Sequence, residues 1–270
     1  MRTSLANARR SGSIHRHAAA LARRIAPWLV PLGLIVLWQL SSQLGWLSSR
    51  ILPAPSAVVK AAVELGRTGE LWAHLRTSAW RAFAGFGIGG GLGLSLGLLT
   101  GSSHRAAILL DTTIQMIRNI PQLALIPLVI LWFGIDETAK LFLIALGTFF
   151  PVYINTHHGI RSVDAGLIEM ATSYGLRGFA LYREVILPGA LPSILVGVRF
   201  SLGFTWVLLI VAETISARAG IGYMTMNARE FLQTDVVLLG ILLYALLGKL
   251  ADVAVTAVER ASLRWHPSYQ

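Results

Sequence analysis

Glu169-Met170-Ala171-Thr172-Ser173-Tyr174-Gly175, followed nine residues later by Val185-Ile186-Leu187-Pro188, is a mixed-charge island in a greasy chain. Glu169, Arg177, Arg183 and Glu184 stand between two hydrophobic stretches. Ionisable side chains are costly in hydrocarbon, so this segment belongs in water. Val163 to Tyr174 reads as an amphipathic helix with Gly175 as its C-cap, and a second short helix then runs to a stop at Pro188. Two readings of this shape stay open on the residues alone. It is a surface connector lying on the membrane, or a projecting knob that fits a partner's groove as a lever.

The rest of the chain supplies the membrane around that island. Hydrophobic residues make up 54% and charged residues 13%, against about a quarter charged in a soluble globular domain. The chain therefore reads as an all-α polytopic membrane protein. It has no cysteine, which excludes a disulfide framework and thiolate metal sites. The net charge of +10 does not point to nucleic acid, because the arginines form no stripe with interleaved aromatics.

Apolar segments long enough to cross a bilayer, which takes about 20 residues of helix, fall at 28–46, 82–101, 113–133, 139–157, 194–213 and 236–256. Six transmembrane helices put both termini on one side. The arm 1–26 carries Arg2, Arg9, Arg10, Arg16, Arg23 and Arg24 and no acid, the mark of a cytoplasmic anchor. The apolar run after it is longer than that of a signal peptide and has no Ala-x-Ala cleavage site, so it reads as an uncleaved first span. With the N-terminus inside, the 159–193 loop and the 258–270 tail are cytoplasmic, leaving 27–257 as the transmembrane domain. In the first outer loop, prolines at 53 and 55 precede a helix over Ala57–Leu65 capped by Ser56. Its apolar face suits an interfacial helix or an outside partner equally.

Within the second span Gly85, Gly89, Gly93, Gly97 and Gly101 recur every four residues. Small residues at that period let two helix backbones approach closely in lipid. The G-x-G-x-x-G at Gly85, Gly87 and Gly90 is no dinucleotide site, because no strand precedes it. Pro121, Pro127 and Pro151 interrupt the third and fourth spans, as a static bend or as the broken helix of a path.

The chain offers no catalytic motif and no metal set: H-E-x-x-H, G-x-S-x-G and Walker A are absent. The adjacent His157 and His158 face different directions on a helix and lack a third ligand, so they read as the end of a span. A proton-coupled carrier needs acids deep in its spans. Glu213 sits at the outer end of the fifth span and Asp252 is placed to pair with Lys249, so neither forms a relay. Arg118, Asn119 and Gln122 beside Pro121, with Arg199 in the fifth span, are the candidate lining of an anion path. Snorkelling accounts for the two arginines equally well.

The opening motif closely resembles the E-A-A, three residues, G, nine residues, I-x-L-P signature of the inner-membrane permeases of binding-protein-dependent ABC importers. Met170 stands where alanine is usual, and Val185 where isoleucine is usual. The segments Leu109–Asn119, Leu131–Glu137 and Ala212–Ala217 look like those of the aliphatic-sulfonate permeases, in the taurine, nitrate and sulfonate branch, and the resemblance covers about 27–267. It implies the type I importer (MetI-like) fold in the bacterial inner membrane. It also implies two permease copies around a shared path, two ATPase subunits that bind ATP and Mg, and a periplasmic substrate-binding protein. The chain itself would then bind no cofactor. Glu169, Met170, Ala171, Gly175, Val185, Leu187 and Pro188 would form the ATPase-coupling loop. A secondary carrier or channel, which needs no ATPase, is the alternative of a different class.

Overall fold

The computed structural model describes residues 26–265, and those residues build helices and connecting turns without a strand. The arginine-rich arm expected at 1–26 lies outside the described residues up to position 25. In chain order the helices are α1 (26–43), α2 (Pro55–Thr68), α3 (Glu70–Ser102), α4 (His104–Arg118), α5 (Gln122–Phe133), α6 (Glu137–Arg161), α7 (Ala165–Ser173), α8 (Gly178–Ile215), α9 (Ile221–Glu230) and α10 (Thr234–Ser262). Among the described residues α3, α6, α8 and α10 are each long and apolar enough to cross a membrane. The bent pair α4 and α5 supplies another crossing if taken as one span.

The glycine stripe sets the central packing. A Cβ added at Gly89 would stand 2.0 Å from the Ala145 carbonyl oxygen, and one at Gly93 2.5 Å from that of Phe149. Gly85 meets Ile144, Gly97 meets Thr156 and Gly101 meets Ile160. All five glycines thus face α6, and the contacts climb both helices together, so α3 and α6 run parallel with their backbones almost touching. On its other side α6 receives α8 antiparallel: Gly197 abuts the Pro151 carbonyl, and Ser201 Oγ donates to the Thr148 carbonyl at 2.9 Å. Trp206, Leu208 and Leu209 of α8 join Ile144, Ile221 and Tyr244 in the main apolar core.

The third expected span is not one straight helix. α4 already starts at His104, contains a π turn at Ala107–Asp111, and stops at Arg118, where the axis bends by 83° into α5. Proline dictates the break. Pro121 has no N–H to extend α4, disfavours a helical Ile120 and is itself extended at φ −61° and ψ 116°. Pro127, by contrast, occupies the first turn of the α-helical part of α5, where a missing N–H costs nothing. Pro151 lies inside an unbroken α6.

The helix expected over Ala57–Leu65 also differs from its expected form. α2 begins at Pro55 after Ala54, and Ser56 does not cap it. Gln39 of α1 takes over that duty: its Oε1 accepts from the Ser56 N–H at 3.1 Å while its Nε2 donates to Ser56 Oγ at 3.0 Å. Val58 and Ala61 are buried against the bundle, and the helix ends at Gly69 in the left-handed region.

Candidate functional site

The motif at 169–188 forms a knob beyond one end of the bundle. Asp164 caps α7 by accepting from the Leu167 N–H at 3.1 Å. α7 then ends in a reversal where the Gly175 N–H reaches the Thr172 carbonyl at 3.0 Å and the Leu176 N–H reaches that of Ala171 at 3.0 Å. This closure needs φ +93° at Gly175, a conformation that costs glycine little. The second helix of the knob does not stop at Pro188. It continues into the membrane as α8, because a π turn at Tyr182–Ile186 shifts the hydrogen-bond register just before the proline. The N–H that Pro188 lacks falls at that change of register.

The knob is anchored by one face and open on the other. Tyr182, Ile186 and Leu187 pack toward Ile160, Ala190 and Ile194. Leu167, Met170, Ala171, Glu184, Val185 and Pro188 line a groove of about 410 Å³, closed at one side by Trp265. Met170 is 53% exposed and Tyr174 85%, and Glu169 is exposed with no ion pair among the described residues. Apart from Gly175, which makes the turn, and Leu187, which faces inward, the motif is presented to solvent or to the groove.

The break between α4 and α5 opens a second cavity, of about 450 Å³, half-way along α6. Arg118, Gln122, Phe150, Asn155, Phe200 and Phe204 are among its lining residues. Of the residues expected to line a path, Arg118 and Gln122 therefore share this cavity, while Asn119 sits in the turn outside it. Arg199 is elsewhere. Its guanidinium binds Asp252 at 3.3 Å, Glu259 at 3.0 Å and the Thr256 hydroxyl, tying α8 to α10. Asp252 also pairs with Lys249 at 2.9 Å, as the spacing predicts. His157 lies against the Thr100 hydroxyl at 2.9 Å, and His158 is exposed. Among the described residues no cluster of acids and histidines could hold a metal.

The end of the bundle opposite the knob holds a polar centre that the sequence reading missed. The Glu213 carboxylate, 1% exposed, accepts from Arg81 Nη1 at 2.8 Å, the Gly222 N–H at 2.8 Å and the Tyr244 hydroxyl at 2.9 Å. Ser78 Oγ lies 2.7 and 2.8 Å from its two oxygens and itself accepts from the Ile221 N–H. Arg81 turns its remaining fork to Glu137, with both bonds at 2.6 Å, and Lys140 reaches the same carboxylate at 3.2 Å. The centre joins α3, α6, α8, α9 and α10. In sequence its charged members, Arg81, Glu137, Lys140 and Glu213, are only charges near the ends of separate spans.

The chain belongs to the family of binding-protein-dependent transport system inner membrane components, whose model matches residues 89–264. It is 66% identical over 91% of its length, and 94% of the other chain, to the protein of Escherichia coli (strain K12) named as an aliphatic sulfonates transport permease, SsuC. Its identity to the Bacillus subtilis (strain 168) protein of the same name is 49%, over 90% of this chain and 88% of that one. In fold it is similar to a solved amino acid ABC transporter, with a TM-score of 0.62 at 20% identity, covering 74% of this chain and 97% of that chain. The protein is thus an integral inner-membrane permease subunit and not an enzyme, and ATP hydrolysis belongs to a separate subunit.

Proposed function

We propose that this chain is the transmembrane subunit of an importer that carries aliphatic sulfonates across a bacterial inner membrane. The substrate class is that named for the two relatives above. The coupling role rests on one observation: Met170, Glu184, Val185 and Pro188 line one groove on the open side of a knob that packs onto the start of α8. An ATPase subunit that grips this knob moves α8 directly, since its second helix is the start of that span.

In this reading two copies of the chain enclose the path, two ATPase subunits bind ATP and Mg, and a periplasmic binding protein delivers the substrate. The arm 1–26, the loop 159–193 and the tail 258–270 are cytoplasmic, and 27–257 is the transmembrane domain. The chain itself needs no cofactor.

Gly175→Val tests the coupling. No atom lies within 4 Å of a Cβ at this position, so the substitution acts only by straining the left-handed turn. Alkanesulfonate uptake and ATPase co-purification should both fall in a strain lacking its own sulfonate permease, while the yield of membrane protein stays normal. Unchanged uptake with unchanged co-purification would remove the knob from the mechanism. Uptake of taurine or nitrate without alkanesulfonates would move the chain to a sister branch.

A further inference from the structure

The lining of the cavity at the α4–α5 break is of two unlike kinds. Arg118, the last residue of α4, is exposed there and has neither an ion pair nor a side-chain hydrogen bond among the described residues. Gln122 holds its buried Oε1 without a hydrogen-bond partner. Space for that amide exists because residue 147 is glycine: a Cβ there would stand 3.0 Å from the same oxygen. Asn155, the other amide in the wall, has already given its Nδ2 to the Pro151 carbonyl at 2.8 Å. The same lining is aromatic elsewhere, with Phe150 beside Phe200 and Phe204, and the rings of the last two stack with centroids 6.4 Å apart.

A buried polar group without a partner is costly, so an uncommitted amide beside an unpaired guanidinium marks a place where a ligand completes the bonding. A half-turn of the Gln122 amide presents Nε2 in place of Oε1, giving a second donor next to the Arg118 fork. Phenyl rings offer a compact inorganic anion nothing. They do reward an alkyl chain, by about fourfold in affinity for each CH2 removed from water. A volume of about 450 Å³ is ample for an anion with a short tail.

The geometry points to this cavity as a selectivity site within the permease itself. Arg118 and Gln122 take the sulfonate group, and Phe200 and Phe204 measure the length of the alkyl chain. The inference rests on the sulfonate reading above and adds to it a site at which the membrane subunit, after the binding protein, selects its cargo.

The test is the maximal uptake rate of ethane-, butane- and hexanesulfonate by the complete importer, each at a concentration that saturates the binding protein. Under saturation the ratio of rates reports the permease. Phe204→Trp, which fills space beside the aromatic lining, should lower the hexanesulfonate rate relative to ethanesulfonate by about fourfold or more, the effect of one CH2 denied its contact. Phe200→Ala, which enlarges the space beside the aromatic lining, should move the ratio the other way. Arg118→Gln should lower all three rates by about tenfold with the half-saturating concentrations unchanged, as loss of one charge-assisted hydrogen bond predicts. General damage to the fold moves every substrate in one direction, so the opposed shifts are diagnostic. Because Phe200 is 64% exposed, its alanine variant carries the test even if Phe204→Trp fails to insert. Wild-type ratios in a normally inserted Phe200→Ala variant overturn the selectivity site alone. A wild-type importer that takes up none of the three sulfonates overturns the substrate reading instead.

Discussion

Glu213→Gln keeps the shape of the side chain and removes its charge, which isolates what the buried centre contributes. The carboxylate is 1% exposed and every neighbour aimed at it is a donor: Arg81 Nη1, Ser78 Oγ, the Gly222 N–H and the Tyr244 hydroxyl, all between 2.7 and 2.9 Å. Glutamine puts an NH2 where one acceptor stood, so donor meets donor and Arg81 loses its buried counter-charge. Breaking a buried pair from one side costs about 3–5 kcal/mol. Arg81 keeps both of its bonds to Glu137, whose side chain is 58% exposed, which places the expected loss near the low end, about 3 kcal/mol. For a chain of this size that lowers the melting temperature by roughly 6–12 °C. Thermal unfolding of the detergent-solubilised protein, followed by tryptophan fluorescence, measures it. Lys249→Ala is the control, since it removes an ion pair between side chains 70% and 42% exposed and such pairs contribute little. A Glu213→Gln protein that melts together with the Lys249→Ala protein would refute the claim that this centre fastens the helices.

Gly89→Ala should destabilise the protein by about 1–3 kcal/mol, as overpacking does, because its Cβ would overlap the Ala145 carbonyl oxygen at 2.0 Å. Gly91→Ala, two residues on with nothing within 4 Å, should leave stability equal or raise it by about 0.5 kcal/mol. Equal melting temperatures for the two variants would mean that α3 and α6 do not meet along the stripe. Arg199→Gln should lower stability by about 3 kcal/mol, the low end because the Arg199 side chain is 40% exposed, by leaving the Glu259 carboxylate, 2% exposed, without its cation. A purely kinetic defect, with slow uptake and an unchanged melting temperature, would return Arg199 to the translocation path.

What the sequence determined by itself is whatever is written in short-range order. The apolar runs give membrane helices because lipid forbids unsatisfied backbone. The four-residue glycine period gives one smooth face on α3, and Gly175 and Asp164 set the ends of α7 through bonds a few residues long. Pro121 announces a break, although the size of the bend, 83°, depends on what α5 packs against. The motif at 169–188 shows a knob, while its groove appears only once α8 returns beside α7 and Trp265 closes the side. The tertiary structure alone decided the long-range pairings. Glu213 meets Arg81 across 132 positions and Ser78 across 135, and Arg199 turns to α10 instead of the cavity. Local periodicity fixes which face of a helix is apolar. Which charges meet depends on the rotation and tilt of helices far apart in the chain, and that is settled by how closely the glycine stripe lets α3 approach α6 and by where α8 and α10 then fit around the pair.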